Sequence, residues 1–135
     1  MKKKFSAHWK SSTQPRKQRK YRHHAPLHIK SKFVSVHLNA DLRKKHGIRA
    51  IQARKGDKVK ILRGQFKGRE GKIDKVNISK TKIFVSKIES AKRDGSKAYY
   101  PLAPSNLMIT ELNTEDKKRI KTKPAQTQSK SKKVE

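Results

Sequence analysis

In a chain of 135 residues, 38 Lys and Arg stand against 10 Asp and Glu, leaving a formal net charge of +28, and only 31% of residues are hydrophobic. That length fits one small core with tails and leaves little room for two independent cores. A compact body this cationic repels itself within a Debye length unless a polyanion neutralises it, so the implied partner is polyanionic.

Cysteine is absent, which excludes a disulfide framework and a thiolate metal site and is compatible with a reducing cytosol. The start MKKKFSAHWK has no apolar run of the roughly 7 to 15 residues that a secretory signal needs. No stretch approaches the roughly 18 to 20 apolar residues that span a bilayer, so a soluble, intracellular protein without a membrane partner is expected.

The first acid is Asp41, and the 40 residues before it carry 11 Lys and Arg. Within them SSTQPRKQRKYRHHAPLHIK has Pro15 and Pro26, few aliphatics and no helical or two-residue period. It reads as an extended basic arm, residues 1–38, that orders only against a partner. Trp9 and Tyr21 have no core to join there, and stacking on a base or ribose is their expected role.

The central part follows, over residues 39–120. Asn39 can cap a short helix containing Leu42, with Asp41 in its first turn, Lys44, Lys45 and His46 in its last, and Gly47 as a left-handed stop. The period then changes to two. Val59 and Ile61, Ile83 and Val85, and Leu107 and Ile109 mark strands, while Ile73, Val76 and Ile78 can face inward together only with a bulge near Asp74 and Lys75. Tyr99 and Tyr100, adjacent on a strand, are expected to divide between core and surface. Asn113 or Thr114 is positioned to cap a helix around EDKKRIK. The expected fold is mainly β: four or five short antiparallel strands closing into a small barrel with short flanking helices. The Lys- and Ser-rich tail, 121–135, has the composition of a disordered terminus.

The connection after Leu62 is longer than a common hairpin loop and contains Gly64, Gly68 and Gly71. Each glycine permits φ > 0 or a close backbone approach. Arg63, Lys67, Arg69 and Lys72 occupy the same turn, where no hairpin needs four cations. A backbone open to close approach with cations on both sides suits a phosphodiester chain.

The stretch KGDKVKILRGQFKGREGKIDKVN, with Asp57, Val59, Ile61, Gly64, Lys67, Gly68, Gly71, Ile73 and Val76 in place, resembles the KOW motif. QPRKQRK, APLHIK, ADLRKKHG and YPLAPSNLMITELN are similar, in order, to the large-subunit ribosomal protein family numbered twenty-four in bacteria and twenty-six in eukaryotes, with archaeal members closer. The likeness runs over roughly residues 14 to 120. It implies an SH3-like barrel and a structural constituent of the large ribosomal subunit that binds the large rRNA near its 5′ end. It also implies early assembly, a place on the outer face around the polypeptide exit tunnel, neighbouring ribosomal proteins as partners, no homo-oligomer and a cytoplasmic location in the ribosome.

The expected rRNA-binding residues are Arg16, Lys17, Arg19, Lys20, Arg22, His23 and His24 in the arm, Arg43, Lys44 and Lys45 at the helix end, and Lys55, Arg63, Lys67, Gly68, Arg69 and Lys72 around the turn. The donors are Lys and Arg and the deep major groove of A-form RNA excludes side chains, so shape is read more than sequence.

Competing chemistries fare worse. His23, His24 and His28 have no Cys and no nearby acid to complete a zinc site. A nucleotide-binding loop ending at Gly71 and Lys72 would need Gly at Phe66 and Ser or Thr at Ile73. No paired carboxylates or nucleophile triad is present, so neither enzyme, cofactor nor small-molecule substrate is expected. A KOW-type transcription elongation factor is the alternative, although such proteins carry a domain of about a hundred residues before the motif. A membrane-coating or DNA-compacting protein would need an amphipathic basic helix or a repeat, and neither is visible.

Overall fold

A computed structural model describes residues 5–6, 8, 11–116 and 119–120. The chain is mixed α/β and rich in sheet. Two helices, α1 (Pro15–His24) and α2 (Leu27–Phe33), precede strand β1 (Ser35–Leu38), helix α3 (Ala40–His46) and strand β2 (Ala50–Gln52). Strands β3 (Lys58–Ile61), β4 (Glu70–Asn77), β5 (Lys82–Val85), β6 (Glu89–Ala91) and β7 (Lys97–Tyr99) follow, then a 3-10 turn at Pro104–Asn106 and strand β8 (Leu107–Glu111).

Six strands form one sheet in the order β2-β1-β8-β3-β4-β5, and β6 and β7 form a separate hairpin. All pairings are antiparallel except β1 with β8. The expectation of four or five antiparallel strands is therefore corrected to eight strands with one parallel pair. Strand β7 contains Tyr99, where a strand is expected, whereas β1, β2 and β6, three or four residues long, are not among the expected strands. β1 also lies within the residues assigned to the arm, yet Val36 and Leu38 are fully buried in the main core. The register shift between Ile73 and Lys75 is the expected bulge in β4. Val76 packs against the core, but Ile78 lies in the turn beyond β4 and is 40% exposed, so the three do not face inward together.

Alternate residues of β1, β3, β5 and β8 point into one cluster: Val36, Leu38, Val59, Ile61, Ile83, Val85, Leu107 and Ile109. Burial of each such side chain favours folding by roughly 1.5–3 kcal/mol, the main force holding a body of this charge together.

The arm is not extended over 15–33. Pro15 sits at the first helical position of α1, where its fixed φ helps and its missing N–H costs nothing, and Arg, Lys and Gln are good helix formers. Proline there begins a helix instead of breaking one. A helix of ten residues without buried positions is marginal alone, and Tyr21 anchors it: its ring meets Phe5 at 5.0 Å and Phe33 of α2 at 6.2 Å, with the Arg22 guanidinium 5.6 Å from the Phe33 centroid. Tyr21 thus has partners within the chain, while Trp9 lies outside the described residues.

Helix α3 is bounded as the sequence indicates, with the Asn39 side chain accepting from the Ala40 amide and Gly47 at φ 64°. No α-helix opens at Asn113 among the described residues. The Asn113 side chain accepts from the Glu115 amide, and one 3-10 bond joins the Arg119 amide to the Asp116 carbonyl, because Arg119 is drawn inward instead. Lys117, Lys118 and Lys121 of that stretch, and the tail 121–135, lie outside the described residues.

Arg119 makes the one buried ion pair among the described residues. Its guanidinium donates 2.6 and 2.5 Å bonds to the two oxygens of Asp57, which is 0% exposed. The same group donates to the Asn113 and Gln52 carbonyls, and Asp57 also accepts from the amides of Arg54 and Asn113. With its oxygens so satisfied the carboxylate can be buried, and the segment after β8 is tied to the loop before β3. Replacing Arg119 by Ala is expected to lower the urea-unfolding free energy by about 3–5 kcal/mol, because it strands a buried charge. Glu111→Ala, which breaks only the exposed pair with Lys58, is expected to cost no more than ~1 kcal/mol. Equal losses in the two variants would contradict this assignment.

Candidate nucleic-acid interface

The turn between β3 and β4 is shaped from within. Gly64 and Gly68 have φ of 97° and 87°, and nothing lies within 4 Å of where a Cβ would stand on either. Their backbone is therefore open to a ligand. Gly71 works differently: a Cβ there would lie 2.7 Å from Val85 and 2.8 Å from the Ser86 carbonyl, so its close approach is to the chain itself and not to a partner. Phe66, absent from the expected core, tucks beneath the turn with 8% exposure and meets Tyr100 edge-on at 5.1 Å. The Gly68 amide donates to the Ile61 carbonyl and the Ile61 amide to the Arg69 carbonyl, closing the base of the loop.

On this support Arg63, Lys67 and Arg69 are exposed; Lys72 is exposed too, but it stands within β4 opposite Lys58 and not in the turn as expected. Arg69 lies 5.3 Å over the Phe66 ring, which orients its guanidinium. Tyr99 and Tyr100 are both exposed, at 48% and 36%, so the expected division between core and surface fails. Both rings are used at the surface. Tyr100 covers Phe66, and a hydrogen bond to the Asp74 carboxylate raises the Tyr99 phenol above its usual range.

On α1, Arg16, Arg19, Lys20, Arg22, His23 and His24 are exposed and Lys17 is half-buried. The His24 ring nitrogen Nδ1 lies 2.9 Å from the Lys20 carbonyl, and the His23 and His24 rings meet edge-on at 5.0 Å. At the end of α3, Lys44 and Lys45 are exposed, whereas Arg43 is half-buried and its Nε donates to the Leu38 carbonyl. Burial first, then the Arg43 and Arg49 charges, lower the His37 imidazole from its ordinary range, a sign of positive potential there. Lys55 is exposed in the loop between β2 and β3.

The carboxylates are engaged elsewhere. The ion pairs among the described residues join Arg54 to Asp116, Lys58 to Glu111, Lys60 to Glu70 and Arg119 to Asp57. Arg16, Arg19, Lys20, Lys44, Lys45, Lys55, Arg63, Lys67 and Lys72 have no carboxylate partner among the described residues. No helix among them is long and apolar enough to cross a membrane.

Comparison with known proteins adds the family. Residues 12–123 match the model of ribosomal proteins L26 (eukaryotic) and L24p (archaeal). The chain belongs to this family, uL24. Large ribosomal subunit protein uL24 of Methanocorpusculum labreanum is 48% identical over 110 residues, covering 82% of this chain and 91% of that protein. That of Methanosphaera stadtmanae is 46% identical over 108 residues, covering 80% and 92%. The uL24 match includes every basic residue named above and also Arg119, whose pairing with Asp57 had no sequence signal across 62 positions. The family consists of ribosomal proteins, not enzymes.

The two kinds of glycine separate by experiment. Gly71→Ala is expected to destabilise the fold by about 1–3 kcal/mol, because backbone and Val85 must shift. Lys67→Ala, at an exposed side chain without a carboxylate partner among the described residues, is expected to shift the thermal midpoint by no more than about 3 °C. A Gly71→Ala protein as stable as the parent would place its role outside the fold.

Proposed function

We propose that this chain is a structural constituent of the large ribosomal subunit and binds large-subunit rRNA directly through phosphate and ribose. The observation that carries the reading is the scarcity of acid beside the cations: the ion pairs take up Arg54, Lys58, Lys60 and Arg119, while Arg16, Arg19 and Lys20 of α1, Lys44 and Lys45 at the α3 end and Arg63 and Lys67 of the β3–β4 turn have no carboxylate partner among the described residues. The named residues take distinct parts. Arg16, Lys17, Arg19, Lys20, Arg22, His23 and His24 enter between RNA helices, and Lys44 and Lys45 with the remaining Arg43 donors meet a second backbone. Arg63, Lys67, Arg69 and Lys72 grip a phosphodiester that lies against the open main chain at Gly68, and Lys55 adds a further contact.

The family supports the finer placement: contact near the 5′ end of the rRNA, early entry into assembly, a position on the outer face around the exit tunnel, and neighbouring ribosomal proteins as further partners. We also read the curled sheet as an SH3-like barrel within a body flanked by a basic arm and tail. Supporting contacts are the bridge between Ile83 and Leu102 and the bond from the Gly56 amide to the Ile73 carbonyl. A transcription elongation factor is the weaker reading, since the matching family and both archaeal relatives are ribosomal.

Salt titration tests this. With about 6–10 phosphates neutralised, affinity of the full chain for rRNA is expected to fall by roughly 10³- to 10⁵-fold between 50 and 200 mM monovalent salt. A response below tenfold would contradict phosphate-dominated binding.

A further inference from the structure

A groove of about 550 Å³ opens between α2, the loop before β3 and the far half of β4. Its apolar lining comes from Val34, Ala53, Val76 and Ile78. Val34 and Ala53 belong to the core, but Ile78, in the turn just beyond β4, is 40% exposed and lines this groove. Lys55 and Lys75, both exposed and without a carboxylate partner among the described residues, stand at the rim. Gln52, Ser31 and Asp74 supply donors and acceptors beside the apolar surface. The volume lies within the ~300–1,000 Å³ range of sites that enclose small organic groups.

We propose that this groove receives one unstacked nucleotide of the large-subunit rRNA, its base against Ile78 and Val76 and its phosphates between Lys55 and Lys75. This rests on the rRNA-binding reading and adds to it a single-stranded, base-contacting subsite distinct from the phosphate grip of the turn. The rim decides the class of occupant. Apolar surface alone would suit a side chain from another protein, but Lys55 and Lys75, without a carboxylate partner among the described residues, and Arg54, paired with Asp116, outnumber the one lining carboxylate, Asp74, and favour an anion joined to a flat ring. The carboxylate and amide groups match the amino and carbonyl edges of a base, and the aliphatic surface covers its face.

Ile78→Ser removes apolar contact at an exposed position and leaves the charge unchanged. In the full chain bound to rRNA it is expected to weaken binding roughly tenfold with the salt slope unaltered. It should also restore dimethyl sulfate or carbodiimide reactivity at one base that the parent protein protects. Lys55→Met is expected to weaken binding and also to flatten the salt slope by about one phosphate. Circular dichroism confirms that both variants fold. Parent-like affinity and an unchanged footprint for Ile78→Ser overturn the groove assignment while leaving the phosphate reading intact. A photoreactive side chain at position 78 that crosslinks only to protein in assembled subunits also overturns it. Failure of the parent chain to bind rRNA defeats both readings at once.

Discussion

The fold depends on how few carboxylates are distributed among many cations. Asp57 is fully buried and held by Arg119, and Glu70, Glu111 and Asp116 reach Lys60, Lys58 and Arg54 in the strands and the segments beside them. Local neutralisation lets an apolar cluster form inside a chain whose total charge opposes compaction. Cations without a carboxylate partner among the described residues include those on the surfaces of α1 and α3 and at the glycine turn, where a protein gains little from them by itself.

That arrangement makes the surface ready for a polyanion without refolding. Phe66 and Tyr100 fix the base of the turn, Arg69 is held over a ring, and α1 is braced by Tyr21 between Phe5 and Phe33. Side chains already ordered lose less entropy on binding, so more of each phosphate contact appears as affinity. The buried pair between Asp57 and Arg119 contributes in the same way: it fixes the loop that carries Lys55 and one wall of the groove beside it.

What could be read from residues alone followed the range of the interaction. Local chemistry was legible: the Asn39 and Gly47 caps of α3, the strands at Val59, Ile83 and Leu107, and the bulge in β4 all arise within a few positions of the residues that signal them. Pro15 misled because the same ring that breaks a helix interior begins a helix at its first position. Strand β1 gains its parallel pairing from β8 far along the chain, and Ser35–Leu38 lies in what composition marks as an arm, while β2 and β6 are only three residues long. The cations of the interface were legible as charge, but which of them are neutralised was not. That Lys58 and Lys60 have carboxylate partners while Lys55 and Lys67 have none among the described residues depends on Glu111 and Glu70 across the sheet. Gly71 could not be told from Gly68 by sequence, since they are separated by the packing of Gly71 against Val85 and Ser86 and by the positive φ of Gly68.

The most direct test compares lysine reactivity towards a small acylating reagent in the free chain and in intact large subunits, read residue by residue by mass spectrometry. The account predicts strong protection in the subunit at Lys20, Lys44, Lys45 and Lys67, and a much smaller change at Lys58 and Lys60, whose ammonium groups already face carboxylates. Equal reactivity of Lys20 and Lys67 in the two states would contradict it.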